Sequence, residues 1–341
     1  MIKLKRFLIS NIEILAITLL GSFLRLYNLG TNSLWKDEIF SAIEAKKPIL
    51  KLLTTKSYDY YGYAPVHYIF THIAQYFGEG DFIIRFPSAV FGIMTIPVVY
   101  LIGRSIYNKD IGLFSALLFS LSITHIQFSQ EVRYYPYLLF FCSLTILSIY
   151  NLIIKPRKLK WLFFFAISTV LNIATQATAT LILAAESLFL LAMIILNFRI
   201  VKKTFVLRFK TKSSPITKTV LIISLMVIVG FIIFFIAGFK NLFQMIVFKS
   251  AMPLGDYQKL IATNLSGNIY LLAFYVLLGL LGIYFGFRLN KKGMFLLQSV
   301  FLVTPVVFYY FRPQNYDFNI RYILPMLIPL FIFVSLGINY I

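Results

Sequence analysis

Ten apolar runs, most of them about 18–21 residues long and one of them, Trp161–Thr175, shorter, recur along this chain, and a run of roughly 17–25 residues crosses a bilayer as one helix. They lie at Leu8–Leu26, Phe82–Ile102, Ile111–Phe128, Pro136–Ile154, Trp161–Thr175, Thr180–Phe198, Thr219–Gly238, Ile269–Phe287, Met294–Phe311 and Tyr322–Tyr340. The fifth and sixth form one stretch, divided at the polar "TQATAT". Of the 341 residues, 60% are hydrophobic and 13% charged, whereas soluble domains are nearer one quarter charged. The expected fold is all-α, a polytopic bundle of about ten transmembrane helices in the lipid bilayer. Lys3, Lys5 and Arg6 before the first run imitate a signal peptide. The run is long, contains Glu13 and lacks a small-x-small cleavage site, so it reads as a retained anchor. The single cysteine, Cys142, lies within an apolar run and reads as a small packing residue.

Lys and Arg then set the expected orientation. With the N-terminus cytoplasmic, the inner segments are 1–7, 103–110, 155–160, 199–218 and 288–293. They hold nineteen of the 32 basic residues and one acid, Asp110. Every short inner loop obeys the positive-inside rule. The net charge of +20 is thus an orientation signal that favours anionic headgroups, and nucleic acid is not needed to explain it. The long inner loop 199–218 mixes apolar and basic residues as a segment lying on headgroups would.

The longest expected outer loop, about 27–81, carries "SLWKDEIFS", with Asp37 and Glu38 side by side among only 12 acids. After them, Ile39, Ala42, Ile43, Ile49, Leu50 and Leu53 recur at mostly helical spacing around Pro48. The pattern predicts two short interfacial helices broken at Pro48, holding the acids over a cavity mouth. A solvated turn or helix cap is the competing reading. On the same expected face lie Arg85, Glu131 with Arg133 in "SQEVRYYPYLL", and Arg321 in "FNIRYILPMLIP". A guanidinium at a helix end often only snorkels to the interface, yet it also grips phosphate through two parallel hydrogen bonds. The stretch "YDYYGYAPVHYIF", with Tyr63 and His67, supplies aromatic faces for a sugar ring or for an interfacial belt.

In order, "SLWKDE", "APVHYIF", "RFPSAVFGIMTIPVVYLIGRSIY", "SQEVRYYPYLLF" and "RYILPMLIP" resemble the protein O-mannosyltransferase-like (dolichyl-phosphate-mannose-protein mannosyltransferase-like) branch of the GT-C glycosyltransferases. The resemblance covers most of residues 20–160 and returns at 318–330; between them it rests on hydropathy. Two departures stand out. Pro65-Val66 replaces the family's usual pair of prolines, and the chain ends at its tenth span where relatives add more. One GT-C domain over 1–341 is expected, with the family's C-terminal part missing or short.

The resemblance implies a multi-pass plasma-membrane enzyme with an extracytoplasmic active site. It would move a sugar from a polyprenyl-phosphate donor to a hydroxyl of a protein, lipid or glycan acceptor. Asp37 would be the catalytic base, taking the acceptor's proton, with Glu38 tuning it by like-charge repulsion. Arg133, then Arg321 and Arg85, would stabilise the leaving phosphate. Glu131 would orient Arg133 or the sugar, Tyr135 would line the pocket, and Tyr63 and His67 would contribute to donor binding. Direct displacement would invert the anomeric centre.

Arg alone can handle a monophosphate leaving group, so no metal cofactor is required by this argument. His67 and His72 are five residues apart and His125 stands alone, which suits packing; a divalent ion on Glu38 and His67 stays open. Glu13 and Glu186, within spans, are expected to face the bundle interior. The competing function is a transporter or flippase of a lipid-linked substrate, although the inverted repeats that would favour it are not evident.

Overall fold

The computed structural model describes residues 11–54, 65–155, 160–176, 179–196, 269–311 and 324–341. The described residues are helical, without a strand. The helices are α1 (Ile12–Leu26), α2 (Lys36–Ala45), α3 (Ile49–Thr54), α4 (Val66–Gln75), α5 (Asp81–Ile106), α6 (Lys109–Ser120), α7 (Ile123–Ser129), α8 (Tyr135–Ile154), α9 (Lys160–Ile173), α10 (Ala179–Leu196), α11 (Ile269–Leu289), α12 (Lys291–Phe311) and α13 (Leu327–Asn339), the last preceded by a 3₁₀ turn at Leu324–Met326. Among the described residues, α5 and α8 are each long and apolar enough to cross a membrane. The expected run Thr219–Gly238 lies outside the described residues.

Helix α8 sits at the centre. Its side chains are buried around most of its circumference, from Tyr135 to Leu152, as expected of a helix with no polar face. Helices α5, α6, α10, α12 and α13 join it in one apolar core. Outward, Leu19, Phe23, Phe163, Val170, Leu277 and Leu280 are exposed. An apolar exterior around an apolar core is what a lipid solvent permits and water does not.

The predicted span Ile111–Phe128 is corrected. Helices α6 and α7 meet at an angle of 61° and only together meet the criteria for a crossing. The Ser122 hydroxyl accepts the His125 N–H at 3.4 Å and starts α7 anew, an N-cap that competes with helix continuation. Glu13 is a second correction. Its carboxylate accepts a 2.6 Å hydrogen bond from Lys109 Nζ, with both side chains nearly half exposed, so it ties α1 to the start of α6 at the bundle's edge. Glu186, in contrast, is fully buried.

Glycine lets α11 and α13 touch backbone to backbone. A Cβ on Gly337 would collide with the Leu278 carbonyl, and one on Gly282 with that of Phe333. Gly337→Val should therefore separate the two helices and lower stability by about 1–3 kcal/mol; thermal unfolding in detergent measures it, and an unchanged melting temperature would refute the tight crossing.

Candidate functional site

The doubled acid starts α2, and the helix divides its two members. Consecutive helical residues do not face each other, so when Glu38 turns inward Asp37 stays partly exposed. Glu38 is 1% exposed, whereas the Asp37 side chain is 32% exposed.

Glu38 is fully engaged. Its Oε1 accepts from Arg85 Nε at 2.8 Å and from the Val132 N–H at 2.9 Å. Its Oε2 accepts from Arg85 Nη2 at 2.7 Å and from the Trp35 N–H at 3.2 Å. The last contact is half of a capping box that fixes the helix start. Arg85 is equally committed, because its remaining donors reach the carbonyls of Leu29 at 3.1 Å, Asn32 at 2.7 Å and Ser33 at 3.4 Å. All five guanidinium N–H groups are occupied. Two expectations are corrected by this geometry. Arg85 has no donor left for a phosphate, and Glu38 has no acceptor site left for a metal, its charge being paired bidentately with that of Arg85. Together they form a buried, bidentate clamp joining the 29–33 turn, α2, α5 and the 131–133 segment.

Helix α4 secures the other end of α2. His72 Nδ1 donates to the Ala45 carbonyl at 2.6 Å, and Gln75 Nε2 donates to that of Ala42 at 2.9 Å. Two of the last-turn carbonyls of α2 are thus satisfied by α4, while those of Ile43 and Glu44 accept from the N–H groups of Lys46 and Lys47. The expected pair of short helices around Pro48 is present as α2 and α3. Helix α2 is inside-out: Glu38 and Ser41 are buried, while Trp35, Ile39, Phe40 and Ile43 are exposed.

Asp37 faces Arg133. Arg133 Nη2 lies 3.7 Å from Asp37 Oδ2, and Nη1 donates to the Asp37 carbonyl and to Ser41 Oγ, each at 3.3 Å. The guanidinium stands 5.3 Å from the Tyr134 ring centre and 6.0 Å from that of Tyr135. Ser41 had no place among the sequence candidates. Its one signal is its position four residues after Asp37, on the same helical face, where its hydroxyl donates to the Asp37 carbonyl at 3.0 Å.

The remaining candidates separate. Glu131 is half-buried and contributes to the field at Arg85. Tyr135 is 1% exposed and packs on Phe128 and Tyr134. His67 is 1% exposed beside the rings of Tyr68, Tyr134 and Tyr137, and neither of its ring nitrogens has a hydrogen-bond partner among the described residues. Burial, then the positive field of Arg133, hold its imidazole well below the usual histidine range. Among the described residues no group of three His, Cys, Asp or Glu side chains converges to hold a metal ion. Tyr63 and Arg321 lie outside the described residues.

Comparison with known proteins follows the same lines. A family model described as dolichyl-phosphate-mannose-protein mannosyltransferase matches residues 64–234. No curated protein matches the chain by sequence. Among solved structures, the oligosaccharyltransferase of Archaeoglobus fulgidus in the apo form superposes with a TM-score of 0.61 at 11% identity, covering 96% of this chain and 50% of that one. ArnT from Cupriavidus metallidurans bound to undecaprenyl phosphate gives 0.61 at 13% identity, covering 98% and 61%. AglB from Archaeoglobus fulgidus, in complex with an inhibitory peptide and a dolichol-phosphate, gives 0.60 at 14%, covering 98% and 50%. At these identities the likeness is one of fold, and the chain spans about half to three fifths of the length of these proteins.

Proposed function

The chain belongs to the dolichyl-phosphate-mannose-protein mannosyltransferase family of GT-C glycosyltransferases, and from that premise we propose that it transfers a sugar from a polyprenyl-phosphate donor to an acceptor hydroxyl. One observation carries the reading: a partly open carboxylate, Asp37, stands 3.7 Å from a buried guanidinium, Arg133. The acceptor O–H loses its proton to Asp37 as its oxygen attacks the anomeric carbon. The bond from that carbon to the phosphate oxygen breaks, and its electron pair passes to the phosphate beside Arg133. Attack opposite the leaving group inverts the anomeric centre. A carboxylate in hydrogen-bond reach supplies the base, and a preorganised guanidinium meets the charge growing on phosphate. A monophosphate can leave on such a cation without a metal cofactor.

In this reading α2 and α3 lie in the outer interface of the plasma membrane, with the exposed Ile39, Phe40, Ile43, Leu50 and Leu53 toward lipid. The N-terminus is cytoplasmic, the site is extracytoplasmic, and about ten spans complete the bundle. Support for the donor class comes from ArnT bound to undecaprenyl phosphate and AglB holding a dolichol-phosphate. The peptide in the AglB complex supports a protein acceptor among the alternatives of protein, lipid and glycan.

The test is transfer of labelled sugar from a panel of polyprenyl-phosphate monosaccharides by the purified full chain in liposomes, with mass spectrometry of the acceptors. Arg133→Ala should raise the KM for donor roughly 10- to 100-fold, the worth of a charge-assisted hydrogen bond to phosphate. Arg133→Lys should restore only part of this, because ammonium lacks the bidentate fork. Normal donor dependence in Arg133→Ala would remove the phosphate role. Movement of the lipid-linked sugar across the bilayer without transfer would favour the flippase reading.

A further inference from the structure

Arg25 is fully buried near the end of α1, and among the described residues no carboxylate is one of its hydrogen-bond partners. A buried cation without a counter-ion costs several kcal/mol unless oriented dipoles replace its water. Here the dipoles come from the break between α6 and α7. Arg25 Nη1 donates to the Ser120 carbonyl at 3.0 Å and to that of Gly21 at 2.9 Å, while Nη2 donates to the Phe119 carbonyl at 3.3 Å. The carbonyls of Phe119 and Ser120 end α6, where the helix dipole is negative. Nη2 also lies 2.7 Å from His125 Nδ1 on α7. Arginine only donates, so His125 accepts there and carries its proton on Nε2. One side chain of α1 thereby holds both halves of the broken helix.

The linkage continues to the site. Gln130 Nε2 donates to the Tyr27 carbonyl at 2.8 Å and to those of Leu24 and Arg25 at 3.3 and 3.4 Å, which fastens the end of α7 to the end of α1. The Ser129 hydroxyl donates to the His125 carbonyl at 2.6 Å, and the Ser129 side chain occupies the space that a Cβ on Gly92 of α5 would fill. Two and three residues past Gln130 come the Val132 N–H bound to Glu38 and the Arg133 guanidinium beside Asp37.

The geometry points to Arg25 and Gln130 as positioning residues that set Arg133 against Asp37 by fixing the angle of α7. The functional half of this inference rests on reading Arg133 as the phosphate-binding group; the structural half does not. Both halves are measured on the full chain in detergent, by hydrogen–deuterium exchange and by binding of undecaprenyl phosphate.

In Arg25→Met, amides of residues 126–133 should exchange roughly tenfold faster or more, as loss of buried hydrogen bonds to a charged group predicts, while α8 stays protected. Gln130→Ala, at a half-buried site where folding is at less risk, should change the same amides to a smaller degree. Undecaprenyl phosphate affinity should fall in both variants, with Arg25→Lys intermediate. Unchanged exchange over 126–133 in Gln130→Ala, or exchange raised equally in α8, would overturn the positioning role. So would a change of equal size in Glu13→Gln, which breaks an exposed ion pair elsewhere on α1. Faster exchange with unchanged affinity would sever the link to Arg133. If the wild type itself fails to bind undecaprenyl phosphate, the donor reading falls, and the exchange result alone decides the role of Arg25 and Gln130.

Discussion

Asp37→Asn should reduce sugar transfer roughly 10²- to 10⁴-fold, the usual worth of a positioned general base, while donor affinity stays within about twofold, since the substitution creates no new charge repulsion against phosphate. The amide keeps the size and shape of the carboxylate but cannot accept the acceptor's proton. Its ion pair with Arg133 is long, at 3.7 Å, and the Asp37 side chain is 32% exposed, so its loss removes little stability. Single-turnover transfer with a labelled donor separates the chemical step from binding, and an equilibrium binding assay supplies the control. Asp37→Glu keeps the charge but moves it by about one carbon–carbon bond, and a misplacement near 1 Å can itself cost about 10²-fold. Transfer at the wild-type rate in Asp37→Asn would remove Asp37 as the base.

Much of this arrangement was legible because lipid and charge leave strong marks on a sequence. The helices and the two short elements around Pro48 follow from hydropathy and spacing, and the charges placed Asp37 and Arg133 on one expected face, their paired roles being what the family resemblance implied. What was not legible is how neighbours divide their work. "DE" reads as one feature, yet adjacent helical positions point about 100° apart, and only the location of Arg85 decides that Glu38 turns inward. The same fact removed Arg85 from the phosphate. The break at Leu121–Ser122 was hidden because no Pro or Gly marks it; its one signal is the short polar interruption of Ser120, Ser122, Thr124 and His125 within an otherwise apolar run. Arg25 had no place among the sequence candidates; its burial depends on carbonyls exposed by that break. Glu13 lay inside an apolar stretch, but Lys109 is a partner 96 residues away that hydropathy cannot supply.

The clamp next to Asp37 should give the opposite result to Asp37 itself. Glu38→Ala or Arg85→Met, made singly, should each lower stability by about 3–5 kcal/mol, because each leaves a buried charge without its partner. In Glu38→Ala, Arg85 keeps the carbonyls of Leu29, Asn32 and Ser33 but no carboxylate. In Arg85→Met, Glu38 keeps only the N–H groups of Trp35 and Val132. Combining Glu38→Ala with Arg85→Met removes both charges, so the double variant should lose less than the sum of the single changes, by about 0.5–3 kcal/mol. Chemical unfolding in detergent across the four proteins measures that coupling, and strict additivity would contradict a direct buried pair. Transfer should fall in the single variants as well, since α2 loses the anchor that holds its first turn. The decisive contrast is therefore stability. Of two adjacent acids, Asp37 should cost chemistry and leave the fold intact, while Glu38 should cost the fold first. A Glu38→Ala protein that keeps its melting temperature but loses transfer would return Glu38 to the chemistry and leave Arg85 without the role its five hydrogen bonds imply.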